Sequence, residues 1–206
     1  MTYDDLFVPL QSGSARPATD AAPPRNPKPV NPPMEQLLFR SATPADVPRI
    51  LQIIRQAQRR MAAAGSLQWQ DGYPAVEHIE ADLKHRYGHV IVRNDGFGNA
   101  AVIAYGAIVF DGEPAYDALD GQWLTQGDYV AVHRLAVADE ALGHGVGREF
   151  LRQTERLARE RGIGAFRIDT NYDNVRMLRI LAQTGFVRCG KVVYRSGERE
   201  AFEKIL

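Results

Sequence analysis

The stretch Leu135–Phe150, LAVADEALGHGVGREF, constrains this chain more than any other. An apolar strand pattern runs into a Gly-x-Gly-x-Gly turn at Gly143, Gly145 and Gly147, and an amphipathic helix pattern follows at once. Such a turn leaves several backbone N–H groups without carbonyl partners at the positive end of a helix dipole. Together they form a socket for an anion, typically a phosphate or pyrophosphate. A strand–turn–helix unit of this kind asks for a sheet around it.

The rest of the chain supplies one. From residue 35 strand and helix patterns alternate. Gln36–Arg40 reads as a strand, and Thr43-Pro44 as a cap with proline at the first helical position. The helix it opens runs to about Ala64, with Ile50, Ile53, Ile54, Ala57 and Met61 on its apolar face. After Gly65 and the loop SLQWQDGYP, a second helix is predicted over roughly Ala75–Arg86. Strands follow at His89–Arg93 and Ala101–Phe110, joined through Asn94-Asp95-Gly96-Phe97-Gly98, which is hairpin chemistry. A polar excursion (Asp111–Asp128) precedes the strand Tyr129–Val137, the glycine turn and a helix to about Arg161. Then come a strand at Ala165–Thr170, a helix at Asn174–Gln183, a strand at Phe186–Tyr194, a turn at Arg195–Glu198 and a strand at Arg199–Leu206. The prediction is a three-layer α/β fold: a mixed sheet of about seven strands with flanking helices.

Residues 1–34 are of another kind. Eight of the twelve prolines lie between Pro9 and Pro33, and such a segment cannot bury enough apolar surface to offset its ordering entropy. A flexible, Pro-rich tail is expected there, ahead of a folded domain at 35–206. Met34 stands immediately before the first strand pattern, so a start at Met34 would explain the tail without giving it a role.

Composition removes several classes of function. A formal net charge of zero argues against a nucleic-acid partner, which would need a basic face. No apolar run approaches the ~20 residues of a membrane span, and no signal peptide is read at the start. The single Cys189 excludes an internal disulfide and fits a reducing, cytoplasmic setting. No metal is expected.

The glycine turn itself can be read in several ways. A Walker loop would need Lys-Ser/Thr after the glycines, and none follows. A dinucleotide fingerprint, GxGxxG, would sit after the first strand of a repeated βαβ unit; this turn comes after the fourth strand and a hairpin. A plain structural turn would look the same at this spacing. The downstream order is more telling. Leu135-Ala136-Val137, Gly143-His144-Gly145-Val146-Gly147-Arg148, Asn174 at a helix start, and Thr184-Gly185-Phe186 resemble the GNAT superfamily of acyl-CoA-dependent N-acetyltransferases over about residues 36–206. Trp69–Pro74 and the stretch around HRLAV are similar to one subgroup of uncharacterised bacterial members.

The resemblance implies acetyl-CoA as co-substrate. Turn residues Gly143–Arg148 would hold its pyrophosphate, and the edge of the strand at Leu135, Ala136 and Val137 would pair with the pantetheine amides. Asn174, a good helix N-cap on its own, would contact the pantetheine arm. Strands 4 and 5 would splay to admit the thioester. Two positions depart from the family pattern. Leu142 stands where the turn usually begins with Gln or Arg, and Leu181 stands where many members carry a tyrosine that protonates the leaving thiolate.

Acetyl transfer to an amine needs a neutral amine, a polarised carbonyl and a way to accommodate the thiolate. A backbone N–H near Leu135–Val137 can polarise the carbonyl. His133 is the first candidate base, since its ordinary pKa of ~6.5 suits proton removal near neutrality. Strand alternation sets it on one face with Ala131 and Leu135; a locally bonded sheet histidine is the plainer reading. Asp169 is the second candidate, as base, as anchor for a cationic amine, or simply as an ion-pair partner of Arg167, Arg176 or Arg134. Trp69, Tyr73 and Trp123, in loops at the open end of the sheet, are the candidate acceptor-binding residues; for Trp69 and Tyr73 the plainer reading is cover over the core between two helices. Glu113, Asp117, Asp120 and Asp128 make the excursion acidic, which favours a cationic amine. The acceptor is read as a small-molecule or peptide amine, with no nucleic acid and no membrane, and a homodimer is left open. The alternatives are a non-catalytic acyl-CoA-binding sensor and an unrelated nucleotide-binding α/β protein.

Overall fold

The computed structural model describes residues 36–94 and 99–206. The expected tail at 1–34 and most of the predicted hairpin turn, residues 95–98, lie outside them. The elements are β1 (Gln36–Ser41), α1 (Val47–Ala63), α2 (Val76–Lys84), β2 (Gly88–Asn94), β3 (Ala100–Val109), β4 (Asp120–Gly121), β5 (Val130–Val137), α3 (Val146–Glu160), β6 (Ala165–Thr170), α4 (Val175–Gln183), β7 (Val187–Tyr194) and β8 (Gly197–Ile205). The strands form one sheet in the order β1-β2-β3-β5-β6-β8-β7-β4. Every neighbouring pair is antiparallel except β5 and β6.

Helices cover both faces of this sheet. Tyr105 and Gly106 are consecutive on β3 and so point to opposite faces. Tyr105 donates to Asp82 of α2 at 2.5 Å, whereas a Cβ on Gly106 would sit 2.7 Å from the Phe150 ring of α3. Hence α2 and α3 flank the sheet on opposite sides, and only glycine lets α3 approach β3 this closely. The predicted face of α1 is confirmed: Ile50, Ile53, Ile54 and Ala57 are buried, with Met61 packed against them.

The helix start at Thr43-Pro44 differs from expectation. The chain first makes a short 3-10 turn, Pro44–Asp46, before α1 begins. The Asp46 carboxylate governs that start. It accepts from the Thr43 backbone N–H and hydroxyl (both 2.8 Å) and takes a two-pronged bond from Arg40 (2.8 and 2.9 Å). Two further differences concern turns. The polar excursion contains a two-residue strand, β4, which pairs with β7 and brings the sheet to eight strands. The last hairpin pairs Tyr194 with Gly197, so its turn is Arg195-Ser196 rather than four residues.

The feature that positions chemistry is the centre of the sheet. The parallel pair β5–β6 is joined only at Val130–Phe166 and Ala131–Arg167, after which the strands part. On the other side of β5, Ala107 pairs with His133 but Tyr105 pairs with Ala136. Arg134 and Leu135 therefore oppose the single residue Gly106, which is a β-bulge. Arg134 absorbs the extra length with φ 57°, in the left-handed region that a non-glycine residue seldom occupies.

Candidate active site

Where β5 and β6 part, a cleft of about 1080 Å³ opens. Four consecutive residues of β5, Val132, His133, Arg134 and Leu135, line it. Strict alternation would turn every second one away; the bulge follows His133, so its expected alternation with Ala131 stands and only the expected place of Leu135 on that face is altered. From the loop between α1 and α2 come Trp69 and Tyr73; β6 contributes Asp169, the start of α4 Asn174, and the β7–β8 turn Tyr194, Arg195 and Arg199.

His133 and Asp169 are brought together. Nδ1 of His133 lies 3.9 Å from Oδ1 of Asp169, and Nε2 lies 3.3 Å from Oε2 of Glu113. Nε2 is nevertheless without a hydrogen-bond partner although the side chain is only 14% exposed. Burial pushes the His133 pKa below its ordinary value, against the pull of Asp169, Glu113 and Asp82 and together with the push of the Arg134 charge. Burial thus favours the neutral ring, and Nε2 is left without a hydrogen bond among the described residues. Among the described residues no arginine holds Asp169. Its Oδ1 accepts from the hydroxyls of Tyr116 (2.8 Å) and Tyr194 (3.1 Å), and burial together with the Asp169 charge raises the pKa of both phenols. Both stay protonated and donate.

Arg134 is spoken for elsewhere. Its guanidinium forks onto Asp82 (2.8 and 2.5 Å) and donates to Tyr73 Oη at 2.7 Å. Burial raises the Tyr73 pKa, opposed by the adjacent guanidinium. Arg167, the other arginine near Asp169, bonds to the fully buried Glu203 and to the carbonyl of Thr125. Its guanidinium also lies 4.4 Å above the Trp123 ring. Trp123 therefore packs against Arg167, its indole N–H donating to the Tyr116 carbonyl, and it is not among the residues lining the cleft.

The glycine turn sits at the mouth of α3. Gly143 and Gly145 adopt φ 82° and 75°, and Gly145 caps the helix without any side-chain bond. Gly143, His144 and Gly145 are exposed, Val146 is buried, and Gly147 lies against Ile180 and Val137. Arg148 donates to Gln183 at 2.7 Å. The geometry suits a phosphate: open space surrounds both left-handed glycines, and the first helical N–H groups have no carbonyl four residues back. Ala136 is buried, and the Val137 carbonyl already accepts from Arg60 at 2.9 Å. Asn174 caps α4, its Oδ1 accepting from the Met177 N–H at 3.2 Å.

Comparison with known proteins accords with this geometry. A sequence model described as the Acetyltransferase (GNAT) family matches residues 50–186. A GNAT-family acetyltransferase from Streptococcus agalactiae is 33% identical, over 82% of this chain and 95% of that one, with a TM-score of 0.73. The chain belongs to the GNAT acetyltransferase family. Two more distant structures share the fold. A GNAT acetyltransferase from Listeria monocytogenes is 21% identical over 82% of this chain and 95% of its own, TM-score 0.64. The Salmonella typhimurium protein yncA, solved with its cofactor acetyl-CoA, is 18% identical over 83% and 94%, TM-score 0.57. No curated protein sequence matches significantly.

As a GNAT protein the chain is an acetyltransferase, and acetyl-CoA is the donor that membership brings. Leu181, in the position where the family often has its tyrosine, is fully buried, so that helix offers the cleft no hydroxyl. Tyr73 and Tyr194 offer two from other elements. Glu113, Tyr116, Tyr194 and the Asp82–Arg134 pair were not singled out as site residues from the sequence. The acidity of the excursion pointed toward Glu113; nothing local signals Tyr194, which reaches Asp169 across 25 residues. No helix among the described residues is long and apolar enough to cross a membrane.

Proposed function

We propose that this GNAT protein transfers the acetyl group of acetyl-CoA to a primary amine by direct attack, both substrates being bound together. The observation that carries this reading is the unspent Nε2 of a buried, neutral His133 at the parting of β5 and β6. The Gly143–Arg148 turn holds the diphosphate, the free edge of β5 at Leu135–Val137 and Asn174 hold the pantetheine arm, and Trp69 and Tyr73 border the acceptor.

In this reading the ammonium of the acceptor enters between Glu113 and Asp169, whose charges favour it. His133 takes the proton, Asp169 and Glu113 steadying the imidazolium that results. The freed lone pair attacks the thioester carbonyl; the C–N bond forms, the C–S bond breaks, and the electron pair leaves on sulfur. The nitrogen, cationic once bonded to carbon, sheds its second proton, and a cleft hydroxyl that gives a proton to the thiolate regains one from that nitrogen, leaving the amide and free coenzyme A. Tyr73 suits that role because its oxygen accepts from Arg134, leaving its own proton to give, whereas Tyr194 spends its proton on Asp169.

The test is release of free thiol from acetyl-CoA on addition of amines. Amine-dependent release, with the acetylated amine found by mass spectrometry, supports the reading. Tight acetyl-CoA binding without release from any amine would favour the non-catalytic sensor, the reading that the loss of a tyrosine at Leu181 makes worth testing.

A further inference from the structure

The β7–β8 hairpin places a second recognition element in the cleft. In an antiparallel pair, directly opposite residues share a face and successive ones alternate. Val192 opposes Arg199 and Tyr194 opposes Gly197, which puts Arg199 and Tyr194 on one face; Lys191 opposes Glu200 and Val193 opposes Glu198 on the other. Glu198 and Glu200 thus point away from Arg199 and are already paired, with Lys191 and Arg188, while Glu203, farther along β8 on Arg199's face, is buried against Arg167.

Among the described residues Arg199 is held by neutral oxygens only. Nη1 donates to Asn171 Oδ1 (3.3 Å) and to the Glu198 carbonyl (3.0 Å), and Nη2 donates to Ser196 Oγ (3.0 Å). A guanidinium has five N–H donors, so donors remain on a side chain already fixed in place. Arg195, next to it in the turn, is exposed and lines the same cleft. Among the described residues neither guanidinium has a carboxylate partner, although Asp71, Asp82, Glu113 and Asp169 all line the cleft. Arg134, the third cleft arginine, is neutralised by Asp82.

Register sets the span. Asp169 of β6 opposes Ala201 of β8, two residues from Arg199 on the same face. Such diagonal neighbours are roughly 7–8 Å apart. An amine seated at His133 and Asp169 therefore has a positive pair one small molecule away.

Building on the amine-acetylation reading, we propose that Arg195 and Arg199 form an anion subsite for a carboxylate borne by the acceptor. The acceptor class is then a compact amino acid or short peptide, its amine at His133 and Asp169 and its carboxylate on the hairpin arginines. Planar guanidinium recognises carboxylate by paired, charge-assisted bonds, which a simple alkylamine or polyamine cannot use.

Glycine, β-alanine, 4-aminobutyrate and glycylglycine, each against its own primary amide, test this with the full chain. Binding is followed by calorimetry on the coenzyme A-saturated protein and turnover by thiol release. At least one acid should exceed its amide by about tenfold or more in affinity and in kcat/KM. The acid that wins tells a free amino acid from a peptide. In Arg195→Gln and in Arg199→Gln the preference should shrink, and in the double variant fall to about twofold. Arg188→Gln, on the opposite face, should leave it unchanged. Because Arg195 is exposed and makes no hydrogen bond or ion pair among the described residues, its variant reads the subsite even if Arg199→Gln perturbs folding. Equal binding of every acid and its amide, or a preference that survives both arginine substitutions, overturns the subsite. Acid-selective binding with no thiol release from any amine would instead sink the acetylation reading while leaving the subsite standing.

Discussion

Nε2 of His133 approaches Oε2 of Glu113 to 3.3 Å yet makes no hydrogen bond. Glu113 begins the short turn that also delivers Tyr116, so one loop sets a carboxylate on one side of the imidazole and a phenol beside the other. A basic nitrogen kept buried and idle is costly unless something polar visits it. The visitor proposed here is the acceptor's ammonium.

His133→Ala should lower kcat roughly 10²–10⁴-fold while acetyl-CoA affinity stays within about twofold. Burial, together with the neighbouring Arg134, sets the His133 pKa below its ordinary value, and Asp169, Glu113 and Asp82 oppose that. A base works when unprotonated, so the acid limb of kcat/KM should fall below ~6.5. Glu113→Gln removes one of the groups holding the pKa up, and the limb should move to still lower pH. A limb at or above the ordinary histidine value, or wild-type rates in His133→Ala across pH 6–9, would remove the base role.

Gly145→Glu places a Cβ at φ 75°, strained for any L side chain, and a negative charge at the mouth of α3. Affinity for acetyl-CoA should drop by two orders of magnitude or so, with thermal stability changed far less. Isothermal titration decides it; unchanged affinity would mean that the diphosphate lies elsewhere.

Asp82→Asn should be among the most damaging substitutions in the chain. It leaves the guanidinium of Arg134 inside the protein without its counter-charge, a loss of about 3–5 kcal/mol readable in urea unfolding. It also frees Tyr105, whose hydroxyl now donates to Asp82. Adding Arg134→Met removes the stranded charge, and stability should partly return.

Asp46 predicts an acid-sensitive helix start. Arg40 holds its pKa down to about 2 from an ordinary value of 3.8. A depressed folded-state pKa gives stability that is fully present above pH ~4 and is lost as the pH falls from there toward 2. Allowing for solvent screening, the contribution is about 1–2 kcal/mol. Asp46→Asn should lower the melting temperature at pH 7 and flatten its dependence on pH between 4 and 2.

Much of the architecture was legible because it is written in local chemistry. β6 begins and ends where its apolar pattern does, at Ala165 and Thr170. Asn174 caps α4 because its short amide reaches the N–H three residues on. The turn at Gly143–Gly147 and the helix it opens needed only glycine's freedom at positive φ and a 3.6-residue apolar period. The strand pairing at β4 escaped notice because two residues carry no period.

The site divides along the same line. His133 and Asp169 were reachable as titratable residues on central strands, and the structure sets them 3.9 Å apart. Their surroundings were not. The bulge at Arg134 has no signature in HRLAV, since a non-glycine residue takes φ 57° only where a fork onto Asp82, 52 residues away, over-determines it. Trp123 looked like a loop aromatic at the sheet's open end and instead lies beneath Arg167.

What the sequence by itself determined is the order of strands and helices, the glycine turn that opens α3 and the family, because each depends on neighbours within a few residues. Only the tertiary structure decided which charges are spent and which are free: Arg134 on Asp82, Arg167 on Glu203, and Arg195 and Arg199 without a carboxylate among the described residues. Pairing energies depend on burial and on distances of a few ångströms between residues remote in the chain, and no local pattern encodes them.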